Sequence, residues 1–331
     1  MTRPFKLGFL THAPRQSDPA RLYEDLIELF AAAEDLGFDG GWIAQHHLSG
    51  STGGVPSPLV LLAAIAERTE RIELGTGITV LPLEDPLRLA EDAAVLDALS
   101  GGRVQLGLGS GGANQSAFAA FGETWADKTE SFRRRRQTLQ ALLAGATLDG
   151  TPSLRLEPPA PGLADRLWHS HATADGAAYA ARQGNGFLLG TAVHNPETVQ
   201  KPLAEAYLDA WSGSRAGARI GVIRAVFPAE DKAAAQAELA DDLKPFAAWL
   251  TREGLAEGAP DTAEIIRLLN VHHGTVGDII DSLGQDPALF QYADYFIPVV
   301  QSESSTLPQA IRRLEVIANQ IAPAFGWHRE H

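Results

Sequence analysis

The chain has no cysteine in its 331 residues. That excludes disulfides, thiolate nucleophiles, thiolate metal sites and cysteine-ligated clusters. No apolar run approaches the ~20 residues needed to span a bilayer, and there is no low-complexity tract. Positive charge is in deficit: 27 Lys and Arg stand against 41 Asp and Glu, for a net charge of −14. Such a chain repels nucleic acid and anionic membranes, so neither is an expected partner. The opening MTRPFKLGFL reads as a first strand and not as an apolar segment leading to a cleavage site. A cytoplasmic protein is the expectation.

At 45% hydrophobic and 21% charged residues, the chain can bury a large core. Short β-branched or aromatic runs alternate with longer stretches rich in Ala, Leu and Glu. The spacing predicts strands at Lys6–Thr11, Gly41–His46, Ile72–Leu81, Arg103–Gly109, Leu167–His171, Gly186–Gly190, Arg219–Phe227 and Ala293–Val299. Helical stretches fall between them at Pro19–Gly37, Ser57–Arg68, Asp85–Leu99, Ala126–Leu143, Asp175–Gln183, Pro196–Trp211 and Pro308–Ile321. The first has an apolar face of Leu22, Leu26, Ile27, Leu29, Phe30 and Ala33 and ends at a glycine. Strict strand–helix alternation argues for a parallel sheet, and eight units fit an α/β class (β/α)8 TIM barrel with insertions better than an open doubly wound sheet. The expectation is a single barrel domain over residues 1–331, with two insertions. The proline-rich Ala146–Arg166 reads as an excursion and lid at the barrel mouth, and Glu230–His273, with helices at Asp231–Arg252 and Asp261–Leu269, falls between the seventh and eighth strands.

In such a barrel the reacting groups sit at the C-terminal strand ends. That rule selects Thr11 and His12, His46 and His47, Thr79 to Pro82, Gly109 to Gly112, His171 to Thr173, Thr191 to His194, and Val300 to Ser302. Adjacent strand residues point to opposite faces, which weakens a chelating pair at His46 and His47; one can act in chemistry while the other is structural, or both can be hydrogen-bonded structural histidines at a strand end. With no HExxH motif, no metal site is expected. The run RVQLGLGSGGAN lacks the spacing of a dinucleotide fingerprint. It reads as a tight turn, or, beside other strand ends, as a place where backbone approaches a ligand closely. In HSHATADGAAYAARQG a strand gives way to a helix that Thr173 or Asp175 can cap, which is an ordinary start or an anion site. Arg133–Arg136 spread around a helix at about 100° per residue and read as solvated, with room for one to turn inward to a phosphate.

The ordered run WIAQHH, LGTGITVLP, DPLRLAED and LDALSGGR between Trp42 and Arg103 resembles the bacterial luciferase-like flavin-dependent monooxygenases, and in particular their alkanal monooxygenase-like FMN branch. The likeness is strongest over Leu7–Leu143 and Leu167–Gly190 and returns at GTVGDIIDSL. It implies a barrel that binds FMN, or a deazaflavin, at its C-terminal mouth. By this similarity His46 matches the active-site histidine that moves a proton and stabilises a flavin peroxide. Gly77–Ile78 matches a non-prolyl cis peptide under the flavin, Gly109 and Ser110 match the next strand end, and Ala172, Thr173 and Gly176 match the phosphate turn. The chain departs from the light-emitting enzymes at Ser110, where they have a phosphate-binding arginine, at Ala172, where they have an acidic residue, and at Gly109, where they have a reactive cysteine. Light emission is not expected, and phosphate affinity must come from backbone N–H groups, Thr173 and another arginine, Arg15 or one of Arg133–Arg136.

The resemblance implies a monooxygenase that uses reduced FMN and O2, through a flavin C4a-(hydro)peroxide, to oxygenate a small organic substrate. An NAD(P)H:flavin reductase would supply the FMN. A deazaflavin-dependent oxidoreductase and a non-catalytic flavin-binding protein are the alternatives. Ala146–Arg166, Gly50–Gly54 and Glu230–His273 are candidate lids. The apolar helices around Pro58 and Pro86 imply a homodimer, or a heterodimer with a paralogue.

Overall fold

A computed structural model describes residues 4–14, 18–48, 53–112, 115–151 and 154–329, the side chain of Asp149 excepted. Arg15 and the first residues of the Gly50–Gly54 loop lie outside the described residues. The strands are β1 Lys6–Thr11, β2 Gly40–Ile43, β3 Glu73–Thr76, β4 Thr79–Val80, β5 Val104–Gly109, β6 Leu167–Ser170, β7 Gly186–Leu189, β8 Ile220–Pro228, β9 His272–Gly274 and β10 Tyr295–Val299. Every pairing is parallel, in the order β10-β1-β2-β3-β5-β6-β7-β8. The ring closes where β8 pairs with β10, with Tyr295 opposite Gly221 and Val299 opposite Ala225. That pairing excludes the open sheet and makes the fold a (β/α)8 barrel. Among the described residues β9 pairs only with β8, outside the ring.

Two strands differ from expectation. The run Ile72–Leu81 is not one strand, because the Gly77–Ile78 peptide is cis and interrupts it; β4, beyond the break, pairs with β5. The second strand stops at Ile43 and not at His46. There Ala44 and Gln45 leave the ladder, with the Gln45 amide donating to the Ile78 carbonyl (3.3 Å).

The lower barrel interior is filled by Trp42, Trp168 and Tyr295, whose rings meet edge-on at 5.5 and 5.8 Å from Trp42. Rings of this size fit because the facing strand positions are glycines. A Cβ on Gly75 would lie 2.3 Å from Trp42 Cδ2, and one on Gly186 would lie 2.4 Å from Trp168 Cε3. Outside the ring, helices bury apolar stripes against the strands. The Pro19–Asp35 helix starts at Asp18, whose carboxylate accepts from the Ala20 amide, and buries Leu22, Leu26, Leu29, Phe30 and Ala33. Each fully buried side chain of the size of Leu or Phe contributes about 1.5–3 kcal/mol.

The LDALSGGR run builds the N-terminal face of the barrel. The Arg103 guanidinium donates to the carbonyls of Ala66, Thr69, Ile72 and Ser100, while Asp97 accepts from the Val104 amide and from Arg166. On the same face Glu34 accepts from the amides of Glu70, Arg71 and Ile72. Burial alone would raise the Glu34 pKa, but those amides outweigh it and hold it below the ordinary value.

Arg166 also donates to the carbonyls of Gly102 and Val104, and Leu156, Ala160 and Leu163 are buried in the outer core. Ala146–Arg166 therefore ends on the N-terminal face. This corrects its reading as an excursion at the mouth: a segment that leads from a helix into the start of a parallel strand arrives at the opposite end from the reacting strand tips. The Glu230–His273 stretch differs. Its Lys232–Arg252 and Thr262–Leu268 helices follow the C-terminal end of β8, Asn270 Nδ2 donates to the Ala192 carbonyl, and Asp242 accepts from Ser304 in the loop after β10 (2.7 Å). Among the described residues no helix is long and apolar enough to cross a membrane.

Candidate active site

A cleft of about 400 Å³ opens at the C-terminal ends of β3 to β7. Its floor and near wall are Ile78, Gly109, Ser110, Gly111 and Gly112. Glycine at 109 keeps this wall thin: a Cβ there would come within 2.7 Å of Ile78 Cδ1. The far wall carries His171, Ala172, Thr173 and Gly176, at the turn from β6 into the Ala174–Arg182 helix. Thr173, and not Asp175, is the N-cap, its hydroxyl accepting from the Gly176 amide at 3.1 Å. Six residues that the sequence marks as flavin contacts, Ile78, Gly109, Ser110, Ala172, Thr173 and Gly176, thus line one cleft. Gly77, next to Ile78, does not itself line the cleft; a Cβ there would meet Leu10 Cδ1 at 2.6 Å.

Lys128 and Arg133 line the same cleft beside the helix start. Arg133 reaches Asp175 at 2.8 Å with its side chain 44% exposed, and Lys128 Nζ sits 4.2 Å from the Trp125 ring centre. The four consecutive arginines have four different fates. Arg134 is exposed, Arg135 binds the Glu84 carbonyl and Glu123, and Arg133 faces the cleft. Arg136 is the one turned inward, 4% exposed, but it donates to Tyr179 Oη (2.9 Å), Gln183 and Gln140. It braces the helix pair behind the cleft and is not directed at a ligand. His171 packs against Phe132 and Tyr179. Burial first, and then the Arg133 charge, push its pKa down to about 4, so it is a neutral imidazole at pH 7.

His46 does not line this cleft. It stands at the mouth with Nε2 3.2 Å from Nδ1 of His12. Its rotamer is closed in by Gly53, at φ +74°, where a Cβ would fall 2.3 Å from His46 Cδ2. Burial, then the neighbouring His47, lowers the His46 pKa. The His12 ring keeps an open edge to solvent, yet the protein crowded around it and the adjacent His46 push its pKa down to about 4. Two neutral imidazoles carry two N–H donors and two acceptor nitrogens; the shared contact uses one of each and leaves one of each over. His47 points the other way and packs on Phe121 at 4.7 Å, in the loop that follows the strand end at Ile43.

Gln45 joins these parts. Its Oε1 accepts from the Val80 amide (2.6 Å), and its Nε2 donates to the Pro56 carbonyl (3.0 Å) and to Glu84 (2.7 Å). It ties the His46 loop to the strand that follows the cis peptide. Lys128 and Tyr179 lie on helices and carry no strand-tip signal; Gln45 lies in the loop after the second strand, but its amide carries no charge to mark it, and the sequence does not pair His12 with His46. Among the described residues no group of three or more His, Asp or Glu side chains is placed to hold a metal ion.

The family described as luciferase-like monooxygenase matches residues 5–277. Limonene 1,2-monooxygenase of Rhodococcus erythropolis is 29% identical over 326 residues, which cover 92% of this chain and 82% of that protein. The F420-dependent glucose-6-phosphate dehydrogenase of Amycolatopsis mediterranei is 35% identical over 121 residues, 36% of each chain. Several curated relatives are matched, like the latter, over about a third of their own length. Among solved structures, the oxygenating constituent of 3,6-diketocamphane monooxygenase from Pseudomonas putida, in complex with FMN, superposes with a TM-score of 0.78 at 17% identity, over 97% of this chain and 99% of that one. At that identity the likeness is one of fold.

Proposed function

Because the chain belongs to the luciferase-like monooxygenase family, we propose that it uses reduced FMN and O2 to oxygenate a small organic substrate. The observation that carries this reading is the single cleft that collects Ile78, Gly109, Ser110, Ala172, Thr173 and Gly176. Its residues fit a flavin. A thin glycine wall suits the close approach of a flat ring system. At the other end, Thr173 and the backbone N–H groups of a helix start, with Lys128 and Arg133, suit a phosphate dianion. The volume lies within the range of small-molecule sites. With Ser110 and Ala172 carrying no charge, Arg133 and Lys128 take the place of the missing phosphate arginine.

Bound reduced flavin supplies two electrons to O2, so that one oxygen atom enters the substrate and the other leaves as water. The chain itself has three tasks. The cleft, with Ile78 and Gly109 in its wall, would hold and orient the ring. His46, held by His12 and by the Gln45 bracket, offers a neutral nitrogen that takes or returns a proton at the mouth. The Glu230–His273 stretch, tied to the mouth through Asn270 and Asp242, serves as the lid that excludes water. The reduced FMN comes from a separate NAD(P)H:flavin reductase; that the similar 3,6-diketocamphane protein is an oxygenating constituent supports this division of labour. The exposed apolar residues Val60, Leu87, Val95 and Leu99 on two neighbouring helices support a homodimer, which sedimentation would test.

Titration of the protein with FMN, oxidised and then anaerobically reduced, tests the reading. Micromolar or tighter binding that favours the reduced form is expected, and His46→Ala should abolish substrate-dependent oxygen transfer. Substrate-dependent oxygen transfer undiminished in His46→Ala would remove the role given to that residue. A deazaflavin is the second reading, favoured by the F420-dependent relative. Tight binding of a deazaflavin with none of FMN would establish it.

A further inference from the structure

A second, smaller cavity of about 120 Å³ adjoins the flavin cleft. The two share one turn: Thr191 borders the cleft, while Gly190 and Ala192, on either side of it, border the cavity. Its roof is His12, the imidazole in contact with His46. The side walls are apolar, from Ile223 and Ala225 on β8, Val299 on β10 and Leu269 from the stretch that follows β8.

The electrostatic character of the cavity is distinctive. Arg224 is the one side chain with a full charge among the described residues that border it, and that charge is not offered to the interior. The Arg224 guanidinium is 2% exposed, its Nε donating to Asp286 at 2.5 Å and its Nη1 to the Ile223 carbonyl at 2.7 Å. It points away from the barrel axis toward the Pro287–Tyr292 helix, which Asp286 caps. Gln200 likewise spends its amide N–H groups on the carbonyls of Thr191 and His194 and leaves its buried Oε1, a neutral acceptor, without a hydrogen-bond partner among the described residues. Asn270 donates to Ala192. Against such walls a ligand charge would lose its hydration without meeting an opposite charge, which is strongly unfavourable. The sequence leaves open an aldehyde, a ketone, a sulfonate or an amine; the cavity discriminates among them.

We propose that this cavity is the substrate subsite, and that it takes a compact, uncharged molecule with an apolar body and one neutral polar group turned toward His12. It excludes carboxylates, sulfonates and ammonium compounds. The inference rests on the flavin reading above for the meaning of "substrate", but the binding itself does not need flavin.

Ligand-observed NMR on the wild-type protein without flavin, with cyclopentanone, cyclopentanecarboxylate and cyclopentylammonium as matched probes, tests it. Cyclopentanone should bind at least tenfold more tightly than either charged analogue. Ala225→Leu, which fills the cavity from a β8 position away from the flavin wall, should weaken cyclopentanone at least tenfold and leave FMN affinity unchanged. Ala192→Leu serves as an independent second filling if the first variant fails to fold. Equal or tighter binding of a charged analogue, absence of cyclopentanone binding to the wild type, or indifference of cyclopentanone to the filled cavity overturns the proposal. FMN affinity, measured on the same samples, reports separately on the flavin reading: its absence removes that reading while leaving the probe result intact.

Discussion

Removing Arg133 should weaken FMN and leave riboflavin alone. Arg133 lines the cleft beside the Thr173-capped helix start, and riboflavin differs from FMN only by the phosphate. A hydrogen bond to a charged group is worth about 1.5–3 kcal/mol when buried, but this side chain is 44% exposed and shares its guanidinium with Asp175. Its value therefore lies near the ~1 kcal/mol upper end for exposed pairs. Arg133→Ala should raise the FMN Kd about fivefold. Asp175→Asn should act with the opposite sign. At about 6 Å, roughly one helical turn, a carboxylate repels a dianion by ~1.4 kcal/mol in water, roughly halved by physiological salt. Loss of that repulsion, with Arg133 freed, should tighten FMN about threefold. Flavin fluorescence titrations of both variants with FMN and riboflavin, at low and high salt, read this directly. The reasoning fails if Arg133→Ala weakens both flavins equally, or if Asp175→Asn weakens FMN.

Acid should destabilise the fold. Buried His272, pushed down to about 4 by burial and then Arg224, and His171, also about 4, bind protons in the unfolded chain near pH 6.5 but not in the folded one. Stability is therefore lost as pH falls from 6.5 toward 4, by about 1.4 kcal/mol per imidazole at pH 5.5. Urea midpoints at pH 7.5 and 5.5 check this, and a midpoint that rises on acidification contradicts it. Gly75→Ala should destabilise by about 3 kcal/mol, the upper end for overpacking, because its Cβ would lie 2.3 Å from a Trp42 ring that is 1% exposed and wedged by two others. Trp42→Leu in the same chain should recover part of that loss in a double-mutant cycle, and simple additivity would count against the steric account. Gln45→Leu breaks three hydrogen bonds around the His46 loop; slower oxygen transfer with unchanged FMN affinity is expected, and a variant as fast as wild type would show that the bracket is dispensable.

Periodicity was enough to find the barrel, because parallel strands buried on both faces read as apolar runs separated by helices. It failed where a single peptide decides the geometry. Nothing in the alternation of Ile72–Leu81 distinguishes a continuous strand from one broken at Gly77–Ile78; only the family resemblance marked that bond. β9 was invisible because three residues, His272–Gly274, carry no period. The strand-tip rule selects His12, His46 and the turn at His171–Thr173. It could not pair His12 with His46, since their contact depends on how two separate loops pack. Lys128 and Arg133 enter the cleft from a helix and not from a strand end, so the rule had no means to weigh them against Arg134 and Arg135. The Ala146–Arg166 error has a topological source: composition marks a long excursion, but chain direction decides the end of the barrel at which it emerges.

The aromatic plug of Trp42, Trp168 and Tyr295 has a consequence for traffic. A barrel stoppered at its base has a single doorway. On the proposed reading, flavin, substrate and product would all pass through the same mouth, and the cavity bordered by His12 shares a turn with the larger cleft. Arrival and departure then become a queue. Whichever molecule sits nearer the doorway governs the release of the one beneath it, so steady-state kinetics should show an obligatory order, and product should compete with one entrant while acting non-competitively toward the other.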